Sequence, residues 1–283
     1  MIAVTGATGQ LGRLVIHELL KTQPANSIIA AVRSPEKAED LADLGVVVRQ
    51  ADYDQPATLA TAFNGAKKLL LISSSEIGKR AAQHSAVIDA ANASGFTLIA
   101  YTSLLHADTS PLALAQEHVI TEQKLAESGV PFVLLRNGWY TENYLASIPS
   151  ALEHGAFIGA AGNGKIASAP RADYAAAAAA VMASPQDQAG KVYELAGDTA
   201  YTLAELAHYL SETTGNTIQY QNLPEAEFAK VLVGAGLPEG FANILADSDA
   251  GAAKGALFDS SHQLSQLIGR NSTPLTLSMN AAL

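Results

Sequence analysis

The sequence contains no cysteine, which removes disulfide bridges, thiolate nucleophiles and thiolate metal sites together. Charge is scarce too. Of the 283 residues 16% are charged and 48% hydrophobic, enough to bury a sizeable core in one large domain or a domain with a smaller appendage, and disorder is not expected. Cations are the scarcer kind, with 17 Lys and Arg against 27 Asp and Glu and a formal net charge of −10. That balance speaks against nucleic acid or a membrane surface as partner, and any bound anion must be held locally. Long apolar runs are missing as well: Tyr174 to Met182 is nine residues of mostly alanine, which reads as a buried helix. The opening Met1-Ile2-Ala3-Val4 lacks the basic and longer apolar segments of a signal peptide, so no export is expected and a cytoplasmic location fits.

What is present is a rhythm. Apolar runs of strand length stand at Ile2 to Thr5, Ile28 to Val32, Val46 to Arg49, Leu69 to Ile72, Leu98 to Thr102 and Phe132 to Leu135. Helix-like segments alternate with them: Leu11 to Leu20, Pro35 to Leu44, Pro56 to Phe63, Ala81 to Ser94 and Leu112 to Ser128, four of them stopped by Gly45, Gly65, Gly95 and Gly129. The pattern predicts an α/β fold, a doubly wound parallel sheet of Rossmann type with helices on both faces. After Leu135 the rhythm breaks, and a strand returns at Val192 to Leu195. Later segments, Leu203 to Thr213, Glu225 to Ala235 and a Gly/Ala/Asp-rich stretch to Leu257, read as helical. The expected domains are therefore 1–136, with the returning strand near 170–197, and a smaller, mostly helical lobe from 137–169 and 198–283. Homo-oligomer formation is left open.

Gly6-Ala7-Thr8-Gly9-Gln10-Leu11-Gly12 follows the first strand and opens the first helix. Glycine is needed to turn tightly at Gly6, to approach a pyrophosphate at Gly9 and to let helix pack on strand at Gly12. The helix N-terminus then offers N–H groups to the phosphates. At the end of the second strand an acidic residue would grip the ribose of NAD, but Arg33 stands there and suits a 2′-phosphate. The expected cofactor is NADPH, with NADH bound more weakly. Asp52-Tyr53 lies where such folds bound the adenine, or forms an ordinary turn. Ser73, Ser74 and Ser75, at the rim of the crevice after the fourth strand, allow a cofactor to approach or make a plain polar turn.

These residues, with the segments YTSLLHADTSPL, LLRNGWYTENY, AGAAGNGKIASA and LIGR, resemble the NmrA-like, atypical short-chain dehydrogenase/reductase family. Within it the chain is most similar to bacterial NAD(P)H:quinone oxidoreductases of this fold and, more loosely, to triphenylmethane dye reductase. The resemblance implies a flavin-free, metal-free enzyme passing hydride from NADPH to a quinone, a small planar acceptor. It gives the cofactor role to Gly6, Thr8, Gly9, Gln10, Leu11, Arg33 and Ser73 to Ser75. It also places Asn137, Gly138, Trp139, Tyr140, Thr141, Glu142 and Asn143 where nicotinamide meets acceptor. The chemistry agrees: Asn137 can hydrogen-bond a carboxamide or quinone oxygen, and Trp139 or Tyr140 can form a flat apolar wall. Trp139 reads equally as core filling.

One departure bears on mechanism. The superfamily's usual Tyr-x-x-x-Lys pair would fall at Leu114 and His118, so reactions needing a tyrosine acid are disfavoured, sugar epimerisation and dehydration among them. A quinone needs that acid less, because hydride addition leaves a hydroquinone anion that solvent can protonate. His118 is a candidate to orient substrate or deliver a proton, or is simply structural. Tyr101 either stacks near the nicotinamide or packs. Lys165 and Arg171 flank a Gly-rich turn, and Arg171 is a candidate cofactor contact. His84, His106 and His154 have no metal-site spacing. The competing reading is a non-catalytic NADP(H) sensor that regulates a protein partner.

Overall fold

The computed structural model describes all of residues 1–283. In chain order the elements are β1 (Ile2–Thr5), α1 (Gln10–Leu20), β2 (Ile28–Val32), α2 (Glu39–Asp43), β3 (Val47–Gln50), α3 (Pro56–Ala62), β4 (Lys68–Leu71), α4 (Arg80–Ala93), β5 (Leu98–Leu104), α5 (Ala115–Ser128) and β6 (Phe132–Asn137). There follow α6 (Thr141–Leu145), α7 (Ile148–His154), β7 (Ala156–Gly159), α8 (Arg171–Ala183), β8 (Val192–Leu195), α9 (Leu203–Thr214), β9 (Gln219–Asn222), α10 (Glu225–Gly234), α11 (Glu239–Ala252), α12 (Gln263–Ile268) and α13 (Leu275–Ala282).

Seven strands form one sheet in the order β3-β2-β1-β4-β5-β6-β8. The pairs from β3 to β6 are parallel. At the β8 end, Leu134 N–H donates to Lys191 O and Gly138 N–H to Leu195 O, so that register also advances in parallel. Alternation explains why the strands read as unbroken apolar runs. Ala3, Ile29, Leu69, Ile99 and Tyr101 join a core with Leu59 and Ala62 of α3, Val87 and Ile88 of α4 and Leu125 of α5. The alternate residues Val4, Ala30, Leu70 and Ala100 are equally buried and face the other side. There α8, an alanine-rich helix, packs against α1.

The chain divides into two compact units. The first comprises Met1–Ala107, Gln116–Asn137 and Arg171–Tyr193, and the second Asp108–Ala115, Gly138–Pro170 and Glu194–Leu283. The segment 108–115 thus groups with the second unit. In that unit β7 and β9 form a separate parallel pair, and Phe228 and Ala246 enclose a small core with Ala160. Thr202 and Glu205 form a reciprocal cap at the start of α9.

Two sequence expectations need correction. The helix expected over Pro35 to Leu44 is a 3-10 turn at Pro35–Ala38 followed by the five-residue α2. The helix expected from Leu112 begins at Ala115, so Leu114 precedes it. Within the mostly helical later part of the chain, β7 and β9 pair as two short strands. Gly45, Gly65, Gly95 and Gly129 do follow helices with positive φ, between 68° and 84°.

Candidate functional site

The strand order reverses between β1 and β4, which opens a crevice at their carboxyl ends. Gly6 enters it with φ +60°, and Gly9 N–H donates to Gly6 O at 2.9 Å to close the turn. A Cβ on Gly12 would collide with Gly6 O and with Ala7 Cα, so the third glycine is what lets α1 lie against the turn. Gly9 caps α1 without any side-chain bond. The leading N–H groups of the helix have no intrahelical acceptor and sit at the positive end of its dipole.

The loop after β4 is stitched to its neighbours by residues that sequence reading missed. Thr5 Oγ1 donates to Leu70 O at 3.2 Å and accepts from Ile72 N–H at 3.1 Å, while Thr102 Oγ1 accepts from Ser73 N–H at 2.9 Å. Every polar atom of Ser74 is engaged, by the start of α4 and by the loop itself. Its N–H donates to His84 Nε2 (2.9 Å), its hydroxyl donates to Gln83 Oε1 (2.6 Å) and accepts from Glu76 N–H (3.1 Å), and its carbonyl accepts from Arg80 Nε (2.5 Å). Ser74 thus serves as a clasp that shapes the loop. Ser73 and Ser75 hold the loop's ends, with Ser75 O accepting from Ile77 N–H at 3.1 Å.

Because His84 Nε2 accepts from Ser74, its proton resides on Nδ1 and is donated to Thr121 Oγ1 at 2.9 Å; Thr121 in turn donates to Glu117 O. Burial, helped by the nearby Arg80 charge, pushes His84 down to about 3. His118 is buried beside it and shares a 2.8 Å hydrogen bond with Tyr101 OH. Burial, then Arg80 and His84, push His118 down to about 3 as well. Tyr101 is fully buried, edge-on to His84 at 5.4 Å. Tyr101 is therefore packed in the core, with the His118 ring bonded to its hydroxyl. Tyr53 also turns inward, its phenol raised by burial to about 12. Asp52 accepts from Asp54 N–H and Gln55 Nε2.

At the end of β6, Glu122 accepts from Arg136 through both oxygens (3.0 and 2.7 Å) and from Ser103 Oγ at 2.6 Å. The two charged side chains are only 12% and 9% exposed. This buried fork fixes the strand end just ahead of Asn137, whose carbonyl accepts from Leu105 N–H at 3.0 Å. Asn137 is 5% exposed, yet its side-chain oxygen has no hydrogen-bond partner in the protein. An orphaned buried acceptor of this kind calls for a donor from outside the chain. On the outer rim, Arg33 Nη1 pairs with Glu76 Oε1 at 2.8 Å.

A parallel sheet with its glycine turn at the switch point fits a broad superfamily, and the sequence profile of the NmrA-like family matches residues 1–277. The chain belongs to that family. It is 62% identical over 280 residues to quinone oxidoreductase 2 of Escherichia coli (strain K12), covering 99% of this chain and 98% of the relative. A crystal structure of the Escherichia coli NADPH-dependent quinone oxidoreductase complexed with NADPH matches at a TM-score of 0.97, with 62% identity and 99% of each chain covered. The Citrobacter sp. triphenylmethane reductase complexed with NADP(H) matches at 0.95, with 41% identity and the full length of both chains.

Within the second unit, this family member continues from Gly138 into α6. Trp139 and Tyr144 stand at a ring separation of 6.2 Å, and Tyr144 and Phe157 at 6.4 Å. Trp139, Asn143, Tyr144 and Phe157 line a small cavity of about 30 Å³, with Asp249 among the other lining residues. Trp139 is thus both buried and a cavity wall. Asp249 accepts from Tyr144 OH at 2.8 Å and from Ala160 N–H at 3.0 Å, and burial raises its carboxyl to about 6. Tyr140 caps α6, and Glu142 lies in its first turn. Thr141 is buried, its N–H donating to Ala169 O and its hydroxyl bonded to Ser168 Oγ at 2.9 Å. These bonds anchor the start of α6. Arg171 opens α8, and Lys165 is exposed on the turn before it.

Proposed function

We infer that this chain is an NADPH-dependent quinone oxidoreductase. The observation that carries the reading is its full-length likeness to the NADPH-bound quinone oxidoreductase of Escherichia coli. The residues present fit the dinucleotide. Gly12 permits the close approach of α1 to the turn, and Asn137 contributes an unpartnered acceptor. Arg33 is a cation at the end of β2, where NAD-binding chains carry an acid.

Bound NADPH supplies a hydride from its nicotinamide ring; quinone, NADPH and one proton become hydroquinone and NADP⁺. In this reading the backbone N–H groups of Gln10, Leu11 and Gly12 hold the pyrophosphate, with Ala7 and Thr8 shaping the turn. Arg33 offers a forked donor to the 2′-phosphate. Asn137 Oδ1 accepts, so its partner must be a donor, N–H or O–H; a nicotinamide carboxamide has an N–H and a quinone carbonyl has neither. Trp139, with Tyr140 and Asn143, provides the flat wall for a planar acceptor. Neither buried histidine is an acid near neutrality, with both pushed down to about 3, and Leu114 replaces the usual tyrosine. The hydroquinone anion is therefore protonated from solvent. Hydride passes directly to the acceptor, so no flavin takes part.

The test is loss of NADPH absorbance with purified protein, no added flavin, and a benzoquinone, a naphthoquinone or a triphenylmethane dye as acceptor. Quinone-dependent turnover is expected, and Asn137→Ala should slow it about tenfold, the cost of one well-placed hydrogen bond, while NADPH still binds. If NADPH binds but no acceptor is reduced, the sensor reading replaces this one.

A further inference from the structure

We propose that Glu76 sets cofactor specificity: its carboxylate holds the Arg33 guanidinium and opposes a 2′-phosphate, limiting the preference for NADPH over NADH. The proposal rests on the reading of Arg33 as the 2′-phosphate contact.

The strand order β2-β1-β4 places Arg33, the residue after β2, and Glu76, in the loop after β4, on opposite sides of the carboxyl end of β1. Their 2.8 Å ion pair spans the point where the glycine turn begins. Arg33 is mobile in principle, its side chain 68% exposed, whereas that of Glu76 is 33% exposed and tied down from beneath. Glu76 N–H donates to Ser74 Oγ, and its Oε2 accepts from Gln83 Nε2 at 3.2 Å and pairs with Lys79 Nζ at 3.4 Å. Gln83 is itself buried and bound to Ser74. These ties leave Oε1 directed at Arg33. The other arginine among the first 33 residues, Arg13, is engaged by Asp40 and by the Lys37 carbonyl.

A phosphate that takes Arg33 therefore meets a fixed carboxylate on the same guanidinium, so binding costs both the ion pair and a like-charge approach. The 2′-hydroxyl of NADH is neutral and can donate to that carboxylate. The pair acts against the larger cofactor charge and not against the smaller cofactor. The Arg33 guanidinium, then Lys79, hold the Glu76 carboxyl below its usual range, so the opposing charge is present throughout the neutral region.

Calorimetric Kd values for NADPH and NADH with wild type, Glu76→Gln and Arg33→Ala, each at low and high salt, test this. Glu76→Gln should bind NADPH about threefold more tightly, a modest figure suited to a solvent-screened site, and NADH no more tightly. The gain should shrink as salt rises. Unchanged or weaker NADPH binding, or an equal shift for both cofactors, would overturn the proposal. Arg33→Ala separates the two levels: a selective loss of NADPH with no effect of Glu76→Gln removes only the role of Glu76, whereas equal loss of both cofactors removes the 2′-phosphate reading beneath it.

Discussion

In the first unit two buried bases, His84 and His118, are each pushed down to about 3 by burial, with the nearby Arg80 charge adding to it. In the second, the corresponding group is an acid, Asp249, raised to about 6 beside the cavity wall. Burial disfavours the charged form in both cases, yet the consequences for pH are opposite. The first unit also holds a fully formed internal ion pair, Glu122 with Arg136, and the second keeps its carboxylate supplied only by a hydroxyl and one backbone N–H. A bidentate fork gives the strand end that carries Asn137 a rigid geometry, whereas Asp249 lines its pocket as a group that loses its charge on mild acidification.

The largest expected effect tests the rigid side of that contrast. Glu122→Ala should destabilise the protein by about 3 to 5 kcal/mol, because it removes the counter-charge of a buried guanidinium. Urea unfolding would register it as a lower midpoint at constant slope. A loss below about 1 kcal/mol would mean that Arg136 finds water or another partner, and the fork would no longer distinguish the first unit.

The next effect concerns acid. For each histidine the folded pKa lies below the unfolded value near 6.5. The unfolded chain thus binds more protons between about pH 6.5 and 3, and the stabilisation present above that window is lost as pH falls through it. His118→Gln keeps an acceptor for Tyr101 while removing the titration. Urea midpoints between pH 6.5 and 4.5 should fall less steeply in this variant, by roughly one proton's worth of slope, or about 1.4 kcal/mol per pH unit at most. An unchanged slope would show that the ring charges without loss and that the first unit tolerates a buried imidazolium.

The same physical contrast explains what could be read in the chain. Strands β1, β2, β4, β5 and β6 are covered on both faces and so declare themselves as apolar runs, and the glycine turn is local and contiguous. Strand β9, Gln219–Asn222, is largely exposed and polar, and β7 is four residues ending on Gly159, where a Cβ would stand 2.7 Å from Asp249 Oδ2. Neither has a periodic signal to find. Within the site, the cation at Arg33 and the missing tyrosine at Leu114 were legible as single residues. The clasp on Ser74 was not, since its meaning depends on Gln83 and His84 returning from α4. Nor was the anchoring of Thr141, whose partner Ser168 lies 27 positions away. A hydroxyl in a motif reads as a ligand contact until its internal partner is known.

The smallest effect addresses the acid of the second unit. The folded pKa of Asp249 is raised above the unfolded 3.8, so its contribution favours folding at low pH and is lost as pH rises through about 6. Asparagine can keep both bonds, its oxygen accepting from Ala160 N–H and its amide donating to Tyr144 OH, without any charge to bury. Asp249→Asn should therefore be more stable than wild type at pH 7.5, by on the order of 1 to 2 kcal/mol, with the advantage vanishing near pH 4. Urea midpoints at the two pH values decide it. If the substitution instead destabilises more at pH 7.5 than at pH 4, the carboxylate is held charged in the folded state, and the second unit supports a buried anion much as the first supports its ion pair.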